Sequence, residues 1–197
     1  MISNPLVSII VRTKDREDLL KKALRSIASQ TYRPIEVVLV NDGGYDLNLE
    51  ELKNILEDIT LNYIRLKKNM GRSYAGNVGL KNAKGEFIGF LDDDDEFYPE
   101  HIETLAQVLI TSKYDVAYTD SVYLFQEKVG DKYITVREMV PFSQDFDYQK
   151  LLVSNYIPIL NMLFKKELLE KAGLFDEGLE AHEDWDLWIR LGQYAKF

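Results

Sequence analysis

Four short apolar runs, each followed by a stretch with helical spacing of apolar residues, restrict what this chain can fold into. The first, Leu6-Val-Ser-Ile-Ile-Val11, has little polar alternation, the pattern of a strand buried on both faces of a parallel sheet. An acidic turn, Asp15-Arg-Glu-Asp18, then leads into Leu19, Leu20, Ala23, Leu24 and Ile27, an amphipathic helix with acids at its positive end. The alternation continues with a strand over 35–40, a helix over about 49–59, a strand over 63–66, a helix over 73–82 and a strand over 87–91. Parallel neighbours in one sheet need crossover connections. These units therefore predict an α/β fold with a mainly parallel sheet and helices on both faces.

After residue 95 the pattern predicts a helix over 101–109 and a strand over 115–119. The stretch 121–136 then alternates apolar and polar residues around Gly130-Asp131, as an antiparallel hairpin does. The portion 147–164 follows, and a last helix over about 183–194 reaches almost to Phe197 with no evident stop signal, so further chain is expected beyond it. No repeat, low-complexity tract or Pro/Gly/Ser-rich linker divides the sequence. We expect one domain over 1–197, with a nucleotide-binding half to residue 95 and an acceptor-side half after it.

Composition removes several functions. No apolar run approaches the roughly 18 to 20 residues of a membrane-spanning helix. The first six residues lack a basic segment followed by a long apolar one, and there is no cysteine, so a cytoplasmic setting is expected. A net charge of -9 argues against nucleic acid as a partner. An anionic ligand would need positive charge supplied locally.

The run Asp92-Asp-Asp-Asp95 follows the strand over 87–91, at the sheet edge where open α/β folds collect ligands. If extended geometry persists past Leu91, Asp92 and Asp94 share one side and Asp93 and Asp95 the other. Two hard carboxylates on one side suit Mg²⁺ or Mn²⁺, which bridge protein carboxylates to substrate phosphates. Taken alone, the run reads equally well as a solvated acidic turn.

The order of motifs is more specific. Val7-Ser-Ile-Ile-Val-Arg-Thr-Lys-Asp15 resembles V-S-I-I-I-P-T-Y-N, and Val38-Leu-Val-Asn-Asp-Gly-Gly44 resembles V-V-D-D-G-S. Asn69-Met-Gly-Arg-Ser-Tyr-Ala-Gly-Asn-Val-Gly79 resembles N-x-G-x-x-x-A-R-N-x-G, Phe90-Leu-Asp-Asp-Asp-Asp95 resembles F-L-D-x-D-D, and Glu183-Asp-Trp-Asp-Leu-Trp-Ile-Arg190 resembles E-D-W-D-L-W-x-R. Together they cover residues 7–190 and resemble a family 2 glycosyltransferase with the GT-A fold. The resemblance implies an inverting, metal-assisted transfer from a nucleotide-sugar donor, with a UDP-sugar expected, to a hydroxyl on a glycan or lipid-linked acceptor. Such an acceptor would bring the protein to a membrane surface, which no segment of the sequence itself marks.

The resemblance places Thr13 and Asp42 against the base, Asp93 at the ribose, and Asp92 and Asp94 at the metal and diphosphate, with Asp94 the direct metal ligand. Gly71, Arg72 and Asn77 belong to the helix start beside the nucleotide. By position alone, Asp42 is a turn residue before Gly43-Gly44, and Arg72 a solvated arginine. The family pattern makes Asp184 the general base. On a helix starting near Glu183 it shares a face with Leu187, Trp188 and Leu191, although Glu183 and Asp186 suit the helix start equally well. Trp185 and Trp188 read first as core. Neither His101 nor His182 has a second histidine at zinc-ligand spacing. The sequence departs from the family at Arg12 for Pro, Lys14 for Tyr and Gly76 for Arg, and the last removes a phosphate or base contact. Two rivals stand behind this reading: a non-catalytic nucleotide- or glycan-binding module of the same fold, and a nucleotidyltransferase, whose glycine-rich loop is missing near the first strand.

Overall fold

A computed structural model describes residues 4–130 and 132–197. The expected alternation is present as β1 (Val7–Thr13), α1 (Glu17–Ala28), β2 (Ile35–Asn41), α2 (Leu49–Leu56), β3 (Thr60–Arg65), α3 (Arg72–Asn82) and β4 (Phe87–Asp92). The helix expected to reach 59 stops at Leu56. Glu57 takes a positive φ of 54°, and the chain enters β3 three residues earlier than its apolar pattern suggests. At the other end of α2, the Asn48 side chain caps the helix by accepting from the Glu51 N–H.

Next come α4 (His101–Thr111), β5 (Val116–Tyr118), β6 (Tyr123–Val129) and β7 (Lys132–Met139). The last two form the expected hairpin, a separate two-stranded sheet with an exposed β6. Asp131 of the expected turn lies outside the described residues, as do residues 1–3 of the amino-terminal segment. The remainder holds α5 (Tyr148–Leu151), β8 (Met162–Lys165), α6 (Leu169–Ala172) and α7 (Glu183–Leu191). Helix α7 ends three residues before its expected limit. At Gly192 the Tyr148 ring comes within 2.7 Å of where a Cβ would stand, so glycine there is a packing requirement.

The main sheet has the order β3-β2-β1-β4-β8-β5. Strands β3, β2, β1 and β4 run parallel, while β8, which the sequence did not mark, lies antiparallel between β4 and β5. The chain steps outward from β1 to β3 on one side and returns to β4 on the other. This reversal opens a crevice at the carboxyl ends of β1 and β4.

The strands are buried on both sides. Ile9, Val11, Val37 and Leu39 pack with α1, α2 and α4, whereas Ile10, Val38 and Phe90 pack with α3 and with Leu187, Trp188 and Leu191 of α7. The second face matters for the site, because it presses α3 and α7 against the strand ends that carry the polar residues.

Candidate active site

Arg12 and Asp92 are register partners at the ends of β1 and β4, so their side chains leave the sheet together. Arg12 Nε and Nη2 donate to Asp92 Oδ1 at 3.1 and 2.8 Å, while Nη1 donates to Glu183 Oε1 at 2.8 Å and to the Arg72 carbonyl at 3.2 Å. Arg12 is 8% and Glu183 3% exposed, so this is a buried network joining β1, β4, α3 and α7. Burial opposes the guanidinium charge, but Asp92 and Glu183 outweigh it and raise the Arg12 pKa.

The next residue, Thr13, donates from Oγ1 to Asp93 Oδ2 at 2.7 Å. Asp93 is fully buried. The Arg16 guanidinium stands 2.6 Å from its Oδ1 but off hydrogen-bond geometry, leaving that oxygen without a donor among the described residues. Burial pushes the Asp93 carboxyl up, against the pull of Thr13 and Arg16. Arg16 also donates to Asp94 Oδ2 at 2.8 Å.

The aspartate run does not stay extended. The Asp95 N–H closes a turn onto the Asp92 carbonyl at 3.1 Å, so turning, and not strand alternation, brings Asp92 and Asp94 to one cavity. Asp95 faces a second cavity of about 650 Å³, which Asp94 also borders. Burial, and then the neighbouring aspartates, push Asp95 up to about 6.

The first cavity, about 580 Å³, opens at the β1/β4 crevice. Thr13, Asp42, Gly71, Arg72, Asp92 and Asp94 of the expected residues border it, together with Arg12, Lys14 and Arg16. The chain is acidic overall, yet four cations collect here. Lys14 pairs with Asp15 at 2.7 Å, whereas the exposed Arg72 guanidinium has no ion-pair partner among the described residues.

Asp42 is a structural residue as well as a wall residue. Its Oδ1 accepts from the Met70 N–H at 2.7 Å and its Oδ2 from the Gly71 N–H at 3.0 Å, fixing the loop ahead of α3. Gly43, at φ 73°, lets the chain turn here, and a Cβ on it would come 2.2 Å from the Lys68 carbonyl carbon. The fully buried Asp93 is not on the cavity wall, in contrast to the ribose contact expected of it, and neither is Asn77. Its side chain donates to the Phe175 carbonyl and to Glu177 Oε1 and accepts from the Phe175 N–H, joining α3 to the segment before α7. That segment contributes Glu177, Leu179 and Glu180 to the wall, residues that no periodic pattern marks.

Asp184 sits on the first turn of α7 and borders neither cavity. It accepts from Asn155 Nδ2 at 3.1 Å and from the Trp185 N–H at 2.8 Å. Burial raises its pKa, opposed by the Trp185 amide, Asn155 and Arg12. Its neighbour Glu183 also borders neither cavity and is joined to the site through Arg12. Trp188 is fully buried and donates to the Ile157 carbonyl, so it belongs to the core.

A divalent cation fits this wall in a limited way. No protein donor among the described residues reaches Asp92 Oδ2 or Asp94 Oδ1, and both residues border the cavity. No group of three or more acidic or histidine side chains is arranged as a metal cage there, again among the described residues. That is the donor set for an ion shared between one or two carboxylates, water and a substrate diphosphate. Arg16 holds Asp94 through Oδ2, so an ion at Oδ1 would share that carboxylate with it.

Comparison with known proteins follows the same outline. Residues 8–173 match the family described as Glycosyl transferase family 2. The chain is 33% identical over 188 residues to an uncharacterized glycosyltransferase, YwdF, of Bacillus subtilis, across 95% of this chain and 68% of that protein. It superposes on S. aureus TarS in complex with UDP at a TM-score of 0.66 and 26% identity, over 93% of this chain and 53% of that one. With the TarS complex of UDP-GlcNAc the TM-score is 0.70 at 24% identity, over 96% and 54%. The fold is shared too with the mannosyltransferase PcManGT of Pyrobaculum calidifontis in complex with GDP-Man and Mn²⁺, at a TM-score of 0.67 and 19% identity, over 98% and 54%. The chain thus spans little more than half the length of these solved structures.

Proposed function

Because this chain belongs to glycosyl transferase family 2, we propose that it transfers a sugar from a UDP-sugar to a hydroxyl of a glycan or lipid-linked acceptor, with inversion at the anomeric carbon. One observation carries the donor assignment: a cavity at the β1/β4 switch point walled by Asp92 and Asp94, each with one oxygen that no protein donor among the described residues reaches, and by the unpaired Arg72 guanidinium, in a chain of net charge -9. Similarity to a protein whose structure contains UDP supports uridine.

In this reading the unpaired Arg72 guanidinium meets a phosphate, and Asp93, fully buried and paired with Arg16, backs the ribose side of the site from behind the wall. Asp42 uses one lone pair of each oxygen on the 70–71 amides and keeps others for the uracil imino N–H. Thr13 holds Asp93 in place. A Mn²⁺ or Mg²⁺ ion at Asp94 and Asp92 would supply charge neutralisation for the departing diphosphate. Asp184 takes the proton of the acceptor hydroxyl, and its raised pKa moves it toward the range where a carboxylate is a better base. We place the reaction in the cytoplasm. No helix among the described residues is long and apolar enough to cross a membrane.

Calorimetry with UDP tests the donor site. Binding should be tight with Mn²⁺, much weaker in EDTA, and metal-independent in Asp94→Asn. Equal binding in chelator removes the metal assignment, and no binding under any condition removes the donor assignment.

A further inference from the structure

The departures at 12 and 76 from the resembled motifs touch each other. A Cβ on Gly76 would stand 2.7 Å from the Phe175 ring and 3.8 Å from Arg12 Cδ, so the arginine side chain from β1 lies against the bare face of α3 at ordinary contact distance. The guanidinium that enters there is almost fully buried, and it spends its donors on Asp92 at the diphosphate wall and on Glu183, next to Asp184, with one bond to the Arg72 carbonyl at the start of α3.

We infer that Arg12 is a positioning residue that fixes helix α7, and with it Asp184, at a set distance from the donor wall. The inference rests on the reading of Asp184 as base and Asp92 as part of the diphosphate site. Three features of the geometry support it. First, the fork of a guanidinium reaches two carboxylates on different elements at once, which a lysine ammonium does with less directional control. Second, Asp92, which borders the cavity, is bound through Oδ1 alone, so its other oxygen has no protein donor among the described residues while the first carries the strut. Third, the contact lies at the first residue of α7, whose other end is anchored in the core by Trp188 and Leu191. With both ends fixed, Asp184 has little freedom to move away from the donor.

A bare stability effect has to be separated from positioning. Arg12→Met alone leaves Glu183 buried and unpaired, so it should destabilise the fold whatever else Arg12 does. The double variant Arg12→Met/Glu183→Gln removes both buried charges, and Arg12→Lys keeps a charge without the fork. Thermal unfolding, Mn²⁺-dependent UDP calorimetry and donor turnover would be measured on all three and on the wild type. The double variant should recover most of the melting temperature that Arg12→Met loses and bind UDP near the wild-type level. Its kcat should nonetheless stay down by roughly 10²-fold, the scale of a misplacement of about 1 Å, with KM for the donor little changed. Arg12→Lys should show the same split. Wild-type turnover in the double variant would make Arg12 only the counter-ion of Glu183 and overturn the inference. Loss of UDP affinity in step with turnover would overturn it as well, because Arg12 would then be a donor-binding group. If the wild type binds no UDP, the donor reading fails and this inference falls with it.

Discussion

Gly76 and Phe175 show how far a single atom matters in this site. The Phe175 ring is 4% exposed, packs against Phe90 at 5.3 Å between centroids, and comes to 2.7 Å from the missing Cβ of Gly76. Gly76→Ala should therefore cost about 1–3 kcal/mol of stability, the range for overpacking a full core, although alanine is the better helix former; chemical denaturation measures it. An unchanged or raised stability would mean that the ring moves freely. Residues of this kind explain the uneven legibility of the site. Thr13, Asp42, Arg72, Asp92 and Asp94 stand at strand or helix ends, where local sequence and motif spacing place them, and the structure puts them on one cavity wall. Asn77 stands in the same motif but spends its amide on residues 175 and 177. Arg12 was legible only as a departure, because one of its partners lies 171 residues away and no local pattern encodes such a contact.

Helix α7 carries the catalytic prediction at the scale of elements. Its first turn splits the work of two adjacent acids. Glu183 is neutralised by Arg12, whereas Asp184 is held by an amide side chain and a backbone N–H and kept partly from water. Asp184→Asn preserves size and keeps one of the two accepted hydrogen bonds, and neither lies on the donor wall, so UDP and Mn²⁺ affinity should stay intact. Turnover should fall by roughly 10²- to 10⁴-fold, the usual scale of a general-base contribution. Donor hydrolysis provides an assay that needs no acceptor, and wild-type turnover in that variant would move the base to another group. The element itself was visible in the sequence because its apolar residues recur at helical spacing. Strand β8 was not. Four residues buried between β4 and β5 are too few to display a period, and their antiparallel direction is set by the partners and not by their own sequence. The parallel half was legible for the opposite reason: its strands are long, β-branched and separated by helices of recognisable pattern.

Taken as a whole molecule, the protein sets groups with opposite pH dependence on the wall of its second cavity. Burial pushes the Asp95 carboxyl from 3.8 up to about 6, so between about pH 4 and 6 the folded chain keeps a proton that the unfolded chain has lost. Its contribution to stability therefore falls as pH rises through that window. Burial pushes His101, stacked on Phe97 at 4.4 Å, from 6.5 down to about 4, so over nearly the same window the unfolded chain binds the proton and the folded chain does not. That contribution is fully present above pH 6.5 and is lost as pH falls toward 4. Each slope hides the other in the wild type. In EDTA, the melting temperature of Asp95→Asn should rise more steeply from pH 4 to 6 than that of the wild type, because only the histidine remains of the pair. His101→Gln should tilt the other way, with Asp93 and Asp184, both raised by burial, adding to the fall. The wild-type profile should lie between the two variants. Parallel profiles for all three proteins would show that neither group changes its proton affinity on folding, and that the second cavity is wet enough to leave both at their ordinary values.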